Sequence, residues 1–250
     1  LVPVLIECGG KDAMIVDSDA DLVAAADAAV WGGMSNAGQT CVGVERVYVL
    51  DDVADAFATE VAKRAAALRA GDSFGPMTMP AQTATVERHV RDAIAAGGTA
   101  LVGGPDSIRG GFVDPVVVAD VTEETFGPLL VVNRVPDVDE AVRRANATGY
   151  GLGASVFSKA RGEEIADRLR CGMVAVNGVI SFAGIPALPF GGVGDSGVGR
   201  IHGHDGLREF ARPRAVARQR FALPVPLTSF RRPASAMKGL VRMTRLRLGR

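Results

Sequence analysis

One cysteine and one glutamate have the residue types and the spacing that carbonyl chemistry would use. Cys41 follows a Gly-Gln-Thr turn at residues 38–40, and Glu7 lies 34 residues before it. A thiolate attacks carbonyl carbons, and a carboxylate whose pKa is raised by burial can take a proton from water at neutral pH. The pair predicts a thiol nucleophile with a water-activating base, and the alternative is a packed thiol beside a surface carboxylate.

Alternating strand and helix patterns surround this pair. Apolar residues at helical spacing from 22 to 34 predict a helix, capped by Ser18 and Asp19, that leads into the turn before Cys41. Another helix is predicted from residue 53 to 68, ended by Gly71. The alternation indicates an α/β fold, a layered domain with a mostly parallel sheet. The remaining predictions are strands at residues 1–6, 44–50, 100–102, 115–118, 129–135, 153–157 and 173–176, and helices at 80–96, 137–147 and 162–170.

Composition excludes several classes of protein. Hydrophobic residues make up 48% of the 250 positions and aromatic residues 5%, which suits an alanine- and valine-rich α/β protein and not a disordered chain. Cys8, Cys41 and Cys171 are odd in number and form no Cys-x-x-Cys pair, so a disulfide scaffold and a zinc site are both disfavoured. The apolar stretch at residues 173–190 contains an asparagine and two prolines, which is typical of a buried strand and loop. We expect a cytoplasmic protein with no metal site.

The charge is unevenly distributed, although the formal net charge is zero. Residues 212–250 contain 11 Lys or Arg and no Asp or Glu, which leaves 17 basic and 28 acidic residues in the first 211, a net charge of −11. An anionic lipid surface or a nucleic acid would attract such a tail. Its prolines and few apolar anchors favour a solvated extension, so we expect no nucleic-acid partner and do not favour membrane contact. Residues after Pro233 have the pattern of a short amphipathic helix.

Four motifs occur in one order along the chain. They are the glutamate motif ECGGK at residues 7–11, the cysteine motif SNAGQTC at 35–41, the phenylalanine motif EETFGP at 123–128 and the glycine motif PFGGVGDSG at 189–197. Together they resemble the aldehyde dehydrogenase superfamily, over residues 1 to about 218. The resemblance implies oxidation of a small-molecule aldehyde to a carboxylic acid with NAD or NADP. It also implies that Cys41 forms the thioester and that water activated by Glu7 hydrolyses it.

The same resemblance implies roles for further residues. Glu124 and Phe126 would contact the nicotinamide ribose end of NAD(P), the backbone of Cys8 would lie near the nicotinamide, and Phe190 would line the aldehyde pocket. Core packing is the alternative for Cys8, Phe126 and Phe190. Residues 192–197 also satisfy Gly-x-Gly-x-x-Gly, but a proline shortly before them and the family context argue against a dinucleotide-binding loop.

The resemblance also implies a domain organisation. Residues 1–10 would end a cofactor-binding domain, 11–190 would form the catalytic domain, 191–220 would form a return segment with an oligomerisation strand at 214–218, and 221–250 would be the basic tail. Chains of the family extend well beyond this length, so we expect a carboxyl-terminal half that is inactive by itself and a homo-oligomer in the full-length protein. Two alternatives stay open, an inactive half-enzyme acting as an interaction module and a thiol-dependent esterase.

Overall fold

The computed structural model describes residues 4–118, 126–221 and 233–248, and the chain divides into two compact units, Leu1–Ala211 and Arg212–Arg250. No helix of the described residues has the length and apolar character needed to cross a membrane. The strands of these residues are β1 (Ile6–Glu7), β2 (Ala13–Val16), β3 (Arg46–Leu50), β4 (Ala100–Val102), β5 (Ile108–Arg109), β6 (Phe112–Val113), β7 (Val116–Val118), β8 (Leu129–Val135), β9 (Gly153–Phe157), β10 (Met173–Val176) and β11 (Gly197–Val198). The helices are α1 (Leu22–Met34), α2 (Ala54–Ala66), α3 (Pro80–Ala95), α4 (Val138–Ala145), α5 (Gly162–Ala166), α6 (Gly203–Glu209) and α7 (Ala234–Leu248).

A seven-stranded sheet organises the described part of the first unit, in the order β10-β9-β2-β3-β8-β7-β4. Every neighbouring pair is parallel except β4 with β7, which confirms the predicted mostly parallel α/β sheet. Strand β2 lies near its centre, where Ala13 aligns with Arg46 on one side and with Ala154 on the other. The sequence patterns did not predict β2, because its four apolar residues are too short a run to show a period.

Both faces of the sheet are covered, since successive side chains of a strand point to opposite faces. Met14 and Val16 of β2 belong to the core under α1 and α2, whereas Ala13 and Ile15 belong to the core under α4 and α5. Helix α3 covers the neighbouring strands β7 and β8. This double cover explains why β2, β7 and the first half of β8 are continuous apolar runs without polar alternation.

Several element ends differ from the predictions. The N-cap of α1 is Asp21, whose carboxylate accepts hydrogen bonds from the backbone N–H of Val23 and Ala24. Asp19 instead accepts hydrogen bonds from the N–H groups of Lys159 and Ala160 and so joins two loops. Helix α2 ends at Ala66, ahead of the predicted stop. Of the predicted strand at residues 1–6, residues 1–3 lie outside the described part, and the observed strand is Ile6–Glu7.

The second unit contains one described helix, α7, which confirms the amphipathic helix predicted after Pro233. Residues 214–218 form no strand within the single chain, and their expected pairing with a neighbouring subunit stays a prediction.

Candidate active site

The loop that carries Cys41 begins where α1 ends. Asn36, Ala37 and Gly38 have φ angles of 54°, 56° and 67°, so three consecutive residues adopt the left-handed conformation that side chains disfavour. Side-chain hydrogen bonds hold this turn, because the Asn36 amide donates to the Gln39 carbonyl at 2.8 Å and the Gln39 amide donates to the Asn36 carbonyl at 3.0 Å. The Gln39 side-chain oxygen accepts a third bond from the Thr78 N–H at 2.8 Å. The turn therefore fixes the position at which the chain enters Cys41.

Gly38 brings the cysteine motif against the phenylalanine motif. A Cβ atom placed on Gly38 would lie 2.2 Å from the carbonyl carbon and oxygen of Gly127 and 2.6 Å from the nitrogen of Pro128. Phe126, next to this contact, is half-buried and has a left-handed φ of 44°. Glu124, the other residue predicted to contact the cofactor, lies outside the described residues. The structure thus places Phe126 beside the loop that carries Cys41.

Strand pairing brings the glutamate motif against the glycine motif. Strands β1 and β11 are antiparallel, with Glu7 opposite Gly197, and the Cys8 N–H donates to the Ser196 carbonyl at 3.1 Å. Ser196 is fully buried, and its hydroxyl accepts a hydrogen bond from the Gly151 N–H at 3.0 Å. Residues 192–197 therefore form a short turn and an edge strand, not the strand-to-helix turn of a dinucleotide-binding loop.

A close approach at Gly10 joins these two pairs of motifs. A Cβ atom on Gly10 would lie 3.1 Å from the carbonyl oxygen of Cys41 and 2.9 Å from Cβ of Leu152. A side chain at this position would crowd Leu152 and the Cys41 carbonyl, so glycine lets the glutamate motif lie against the backbone of Cys41. The four motifs therefore meet in one place, although the first and the last are separated by most of the first unit.

The electrostatics of this place couple Cys41 to Glu7. Burial is the largest cause of the raised pKa of the half-buried Cys41 thiol, and the negative charges of Glu7 and Asp12 raise the pKa further. Hydrogen bonds from the backbone N–H groups of Val42 and of Cys41 itself act in the opposite direction. Burial also raises the pKa of the Glu7 carboxyl, which makes it a stronger base than a free carboxylate. The charge of Glu7 therefore acts on the Cys41 thiol.

The other two cysteines have different surroundings. Cys171 is largely enclosed, its thiol donates a hydrogen bond to the Met173 carbonyl at 3.3 Å, and its pKa is raised to about 12, first by burial and then by the charge of Asp12. Cys8 is exposed on the strand edge, and all three cysteines are free thiols. Cys171 is therefore a packed structural thiol, and Cys41 is the cysteine that has both a carboxylate neighbour and backbone donors.

Phe190 lies in the same apolar cluster as Cys41. The two side chains are partly buried and pack, with Ile180, against a fully buried set formed by Val42, Leu152, Met173, Ala175 and Phe182. The backbone of Phe190 exchanges two hydrogen bonds with Ile201, at 2.6 and 2.8 Å, and its ring centroid lies 6.1 Å from that of His202. The predicted pocket residue thus forms part of an apolar wall beside Cys41.

Buried charges beneath the glutamate motif were missed by the sequence patterns. The Lys11 Nζ atom donates to Glu45 Oε2 at 2.8 Å, and both side chains are buried. The Arg46 guanidinium donates to the Lys11 carbonyl at 2.5 and 3.1 Å and to the Tyr48 hydroxyl at 3.1 Å. Asp12 accepts a hydrogen bond from the Gly153 N–H at 3.0 Å. The signal available in the sequence was a Glu-Arg pair inside an otherwise apolar strand pattern, which favours burial with partners.

The residues at this site suit one end of a dinucleotide. Within the described residues, no group of three or more His, Cys, Asp or Glu side chains could hold a metal. Glu7 and Cys8 are exposed, Gly9 has a left-handed φ of 78°, and Phe126 is half-buried, so an open backbone edge and an aromatic ring lie near the thiol loop. These features fit the nicotinamide end of NAD(P). The part of the chain described here contains no glycine-rich turn between a strand and a helix that would hold the pyrophosphate.

Comparison with known proteins gives consistent relatives. The model of the aldehyde dehydrogenase family matches residues 1–216. A protein of Mycobacterium ulcerans (strain Agy99), provisionally named succinate-semialdehyde dehydrogenase (NADP(+)) 2, is 42% identical over 88% of this chain and 46% of its own length. The 4,4'-diapolycopene aldehyde oxidase of Methylomonas sp is 42% identical over 89% of this chain and 44% of its own. The crystal structure of an NAD-dependent aldehyde dehydrogenase from Sinorhizobium meliloti superposes with a TM-score of 0.83 at 34% identity, covering 90% of this chain and 48% of that one. The chain therefore spans about half the length of the curated relatives it matches.

Proposed function

The chain belongs to the aldehyde dehydrogenase family, and we propose that it carries the nucleophile and the general base for NAD(P)-dependent oxidation of an aldehyde to a carboxylic acid. Cys41 is the nucleophile and Glu7 is the base in this proposal. The observation that supports it best is the convergence of four distant motifs. It brings Glu7 near enough to Cys41 for the carboxylate charge to raise the pKa of the thiol.

The first step is addition of the Cys41 sulfur to the aldehyde carbon. The thiol proton passes to solvent, a C–S bond forms, and the carbonyl π electrons move to the aldehyde oxygen. The N–H groups of Cys41 and Val42, which face the sulfur, stabilise the attacking thiolate, and the negative charge then develops on the aldehyde oxygen. The chemistry that NAD(P) supplies when bound is acceptance of a hydride from the former aldehyde carbon, and Cys41 is then left with a thioester.

The second step is hydrolysis of that thioester. Glu7 keeps its charge through the first step, and its exposure lets water reach the carboxylate. The carboxylate then takes a proton from water while the water oxygen adds to the thioester carbonyl carbon. The C–S bond breaks, the carboxylic acid leaves, and the proton held by Glu7 passes to the Cys41 sulfur, which restores the thiol. The raised pKa of Glu7 favours this proton transfer.

The contacts with the cofactor are proposed for the nicotinamide end alone. Phe126, Glu124 and the Cys8 backbone would position the ring over the thiol, and the adenosine end would be held by residues outside those described. We therefore propose that the 250-residue chain binds NAD(P) weakly by itself. Relatives bear names that specify NADP(+) in one case and NAD in another, and both cofactors are candidates here.

The substrate class follows from the wall beside Cys41. The side chains that pack there are apolar, and Arg200, close in sequence to Phe190, donates to the carbonyls of Gly192 and Gly199 at 2.8 and 2.7 Å. A cation already engaged by two backbone carbonyls is poorly placed to hold a substrate carboxylate. We propose an aldehyde with an apolar chain in preference to one that ends in a carboxylate.

The roles of the two catalytic residues can be tested with an activated ester and the 250-residue chain. Hydrolysis of p-nitrophenyl acetate needs no cofactor, so the unaltered chain should release a burst of p-nitrophenol close to one per chain and then turn over steadily, although we expect it to be inactive as a dehydrogenase by itself. Cys41→Ala should lose both phases, whereas Glu7→Gln should keep the burst and slow the steady phase. Cys171→Ala is the matched control and should behave like the unaltered chain. A burst that survives Cys41→Ala would refute the assignment of the nucleophile.

The dehydrogenase activity is tested in the complete gene product with NAD(P)+ and aldehydes of increasing chain length. We expect Glu7→Gln to give a burst of NAD(P)H followed by a slow steady state, and hexanal to be a better substrate than succinate semialdehyde. Ester turnover without any NAD(P)H would instead support the thiol esterase. If neither reaction occurs, the chain is an inactive half-enzyme and the proposal is wrong.

A further inference from the structure

Helix α7 belongs to the unit Arg212–Arg250, and it lies beyond residue 216, where the match to the family ends. Its 15 residues extend over about 22 Å at 1.5 Å per residue. Nothing in the proposed reaction uses this helix. Its residues nevertheless separate into an apolar side and a basic side when they are placed around the helix.

The apolar residues of α7 fall on one side of the helix. At 100° per residue, Met237, Leu240, Val241 and Leu248 lie within about a quarter of the circumference, and Met243 extends this arc on one flank. The side chains of Met237, Val241, Met243 and Leu248 are 43%, 45%, 62% and 70% exposed. An apolar arc of this width is normally covered in a stable protein, so its exposure indicates a surface that binds something.

A basic flank borders the apolar arc. Lys238, Arg242 and Arg245 follow one another at spacings of four and three residues and occupy one side of the helix. Arg247 lies within the apolar arc. Its side chain is long enough to carry the guanidinium past the neighbouring apolar side chains into a polar layer. The helix contains four basic residues and no acidic residue, and the whole segment 212–250 contains 11 basic residues. The ligand of this surface must therefore combine negative charge with an apolar phase.

We propose that α7 binds the surface of a membrane that contains anionic lipids, lying in the interface with its apolar arc among the acyl chains and its basic flank among the phosphate head groups. A lipid surface satisfies both halves of the helix at once. A nucleic acid would pair with the basic flank but leave the apolar arc in water. A solvated extension, the expectation from composition, also leaves that arc uncovered. The lipid surface is the partner that accounts for both observations.

The test uses co-sedimentation of the 250-residue chain with vesicles of phosphatidylcholine alone or of phosphatidylcholine mixed with phosphatidylserine. We expect binding to the mixed vesicles, weaker binding to the neutral ones and loss of binding at high salt. Lys238→Gln with Arg242→Gln should weaken partitioning about 25-fold, since each basic residue near an anionic surface contributes about fivefold. Met237→Ser and Val241→Ser should each weaken it roughly tenfold. The matched control is Leu246→Ser, on the polar side of the helix, which should change binding less than twofold.

Two results would overturn the proposal. If the serine substitutions in the apolar arc weaken binding no more than Leu246→Ser does, the contact is electrostatic only and the helix does not enter the interface. If the chain ignores mixed vesicles but binds duplex DNA or RNA in the same salt, the tail is a nucleic-acid site. All these variants change α7 alone, so the helical circular dichroism and ester turnover of the chain should stay unaltered, and these two measurements separate a binding defect from a folding defect.

Discussion

Replacing Gly38 by alanine tests the contact that joins the Cys41 loop to the phenylalanine motif. The substitution forces a side chain into a φ of 67°, which costs about 1–2 kcal/mol, and places Cβ 2.2 Å from backbone atoms of Gly127, which adds about 1–3 kcal/mol. Gly110 is a matched control because its φ is 62° and a Cβ there would meet no atom within 4 Å. Replacing glycine by alanine also lowers the conformational entropy of the unfolded chain. This contribution is equal at positions 38 and 110, so it cancels when the two variants are compared.

We therefore expect Gly38→Ala to lower the free energy of unfolding by about 1–3 kcal/mol more than Gly110→Ala does. Urea unfolding of the 250-residue chain measures this, and at a slope of roughly 3 kcal/mol per molar the additional shift of the midpoint is about 0.3–1 M. The rate of Cys41 alkylation by iodoacetamide should change in Gly38→Ala alone. Equal midpoints for the two variants would refute the close approach of Gly38 to Gly127, and with it the convergence of these two motifs.

Three further predictions concern thiols and association. Glu7→Gln removes a charge that raises the pKa of Cys41, so alkylation of Cys41 at neutral pH should be faster and its pH midpoint lower, whereas Glu209→Gln should leave both unchanged. Cys171, whose pKa is raised to about 12, should resist iodoacetamide in the folded chain and react fully in urea; labelling of the native chain at Cys171 would contradict its burial. The chain should self-associate through the exposed edge of β1 and β11, and Val198→Lys should lower the mass measured by light scattering, because Val198 is 55% exposed there.

The strands of the sheet were predictable wherever an apolar run was long enough to show its type. Residues 129–135, 153–157 and 173–176 are strands as predicted, because buried parallel strands are runs of branched and small apolar residues. Strand β2 escaped prediction although it is central, since it has only four residues and follows directly on the glutamate motif. Local patterns also misplaced the cap of α1, because Asp19 and Asp21 are equally good capping residues and tertiary contacts with the loop at 159–160 decided between them.

At the candidate site, local sequence motifs identify the residues, but they do not predict the contacts between them. Cys41, Glu7, Phe126 and Phe190 could be named from motifs, but nothing local predicts that β1 pairs with β11 or that Gly10 contacts the backbone of Cys41. Such contacts join segments far apart in sequence, and only the packed sheet determines them. The pairing of Lys11 with Glu45 could not be predicted for the same reason, although the position of Glu45 in an apolar strand pattern indicated a buried charge. Membership of the family fixes the chemistry expected of these residues, while the particular contacts that support them belong to this fold.

Glu7 has two opposite effects in the proposed reaction, because its charge disfavours the Cys41 thiolate while its basicity favours hydrolysis of the thioester. While Glu7 is ionised, its charge helps to raise the pKa of Cys41, so the sulfur stays protonated at neutral pH. In the proposal Glu7 acts only after the thioester has formed, so the thiol loses its proton to solvent, and the N–H groups of Cys41 and Val42 then stabilise the sulfur. Simple alkylation of Cys41 should therefore accelerate as pH rises through the alkaline range. Partial burial raises the pKa of the Glu7 carboxyl as well, so the same desolvation that makes the thiol a weaker acid makes the carboxylate a stronger base toward water.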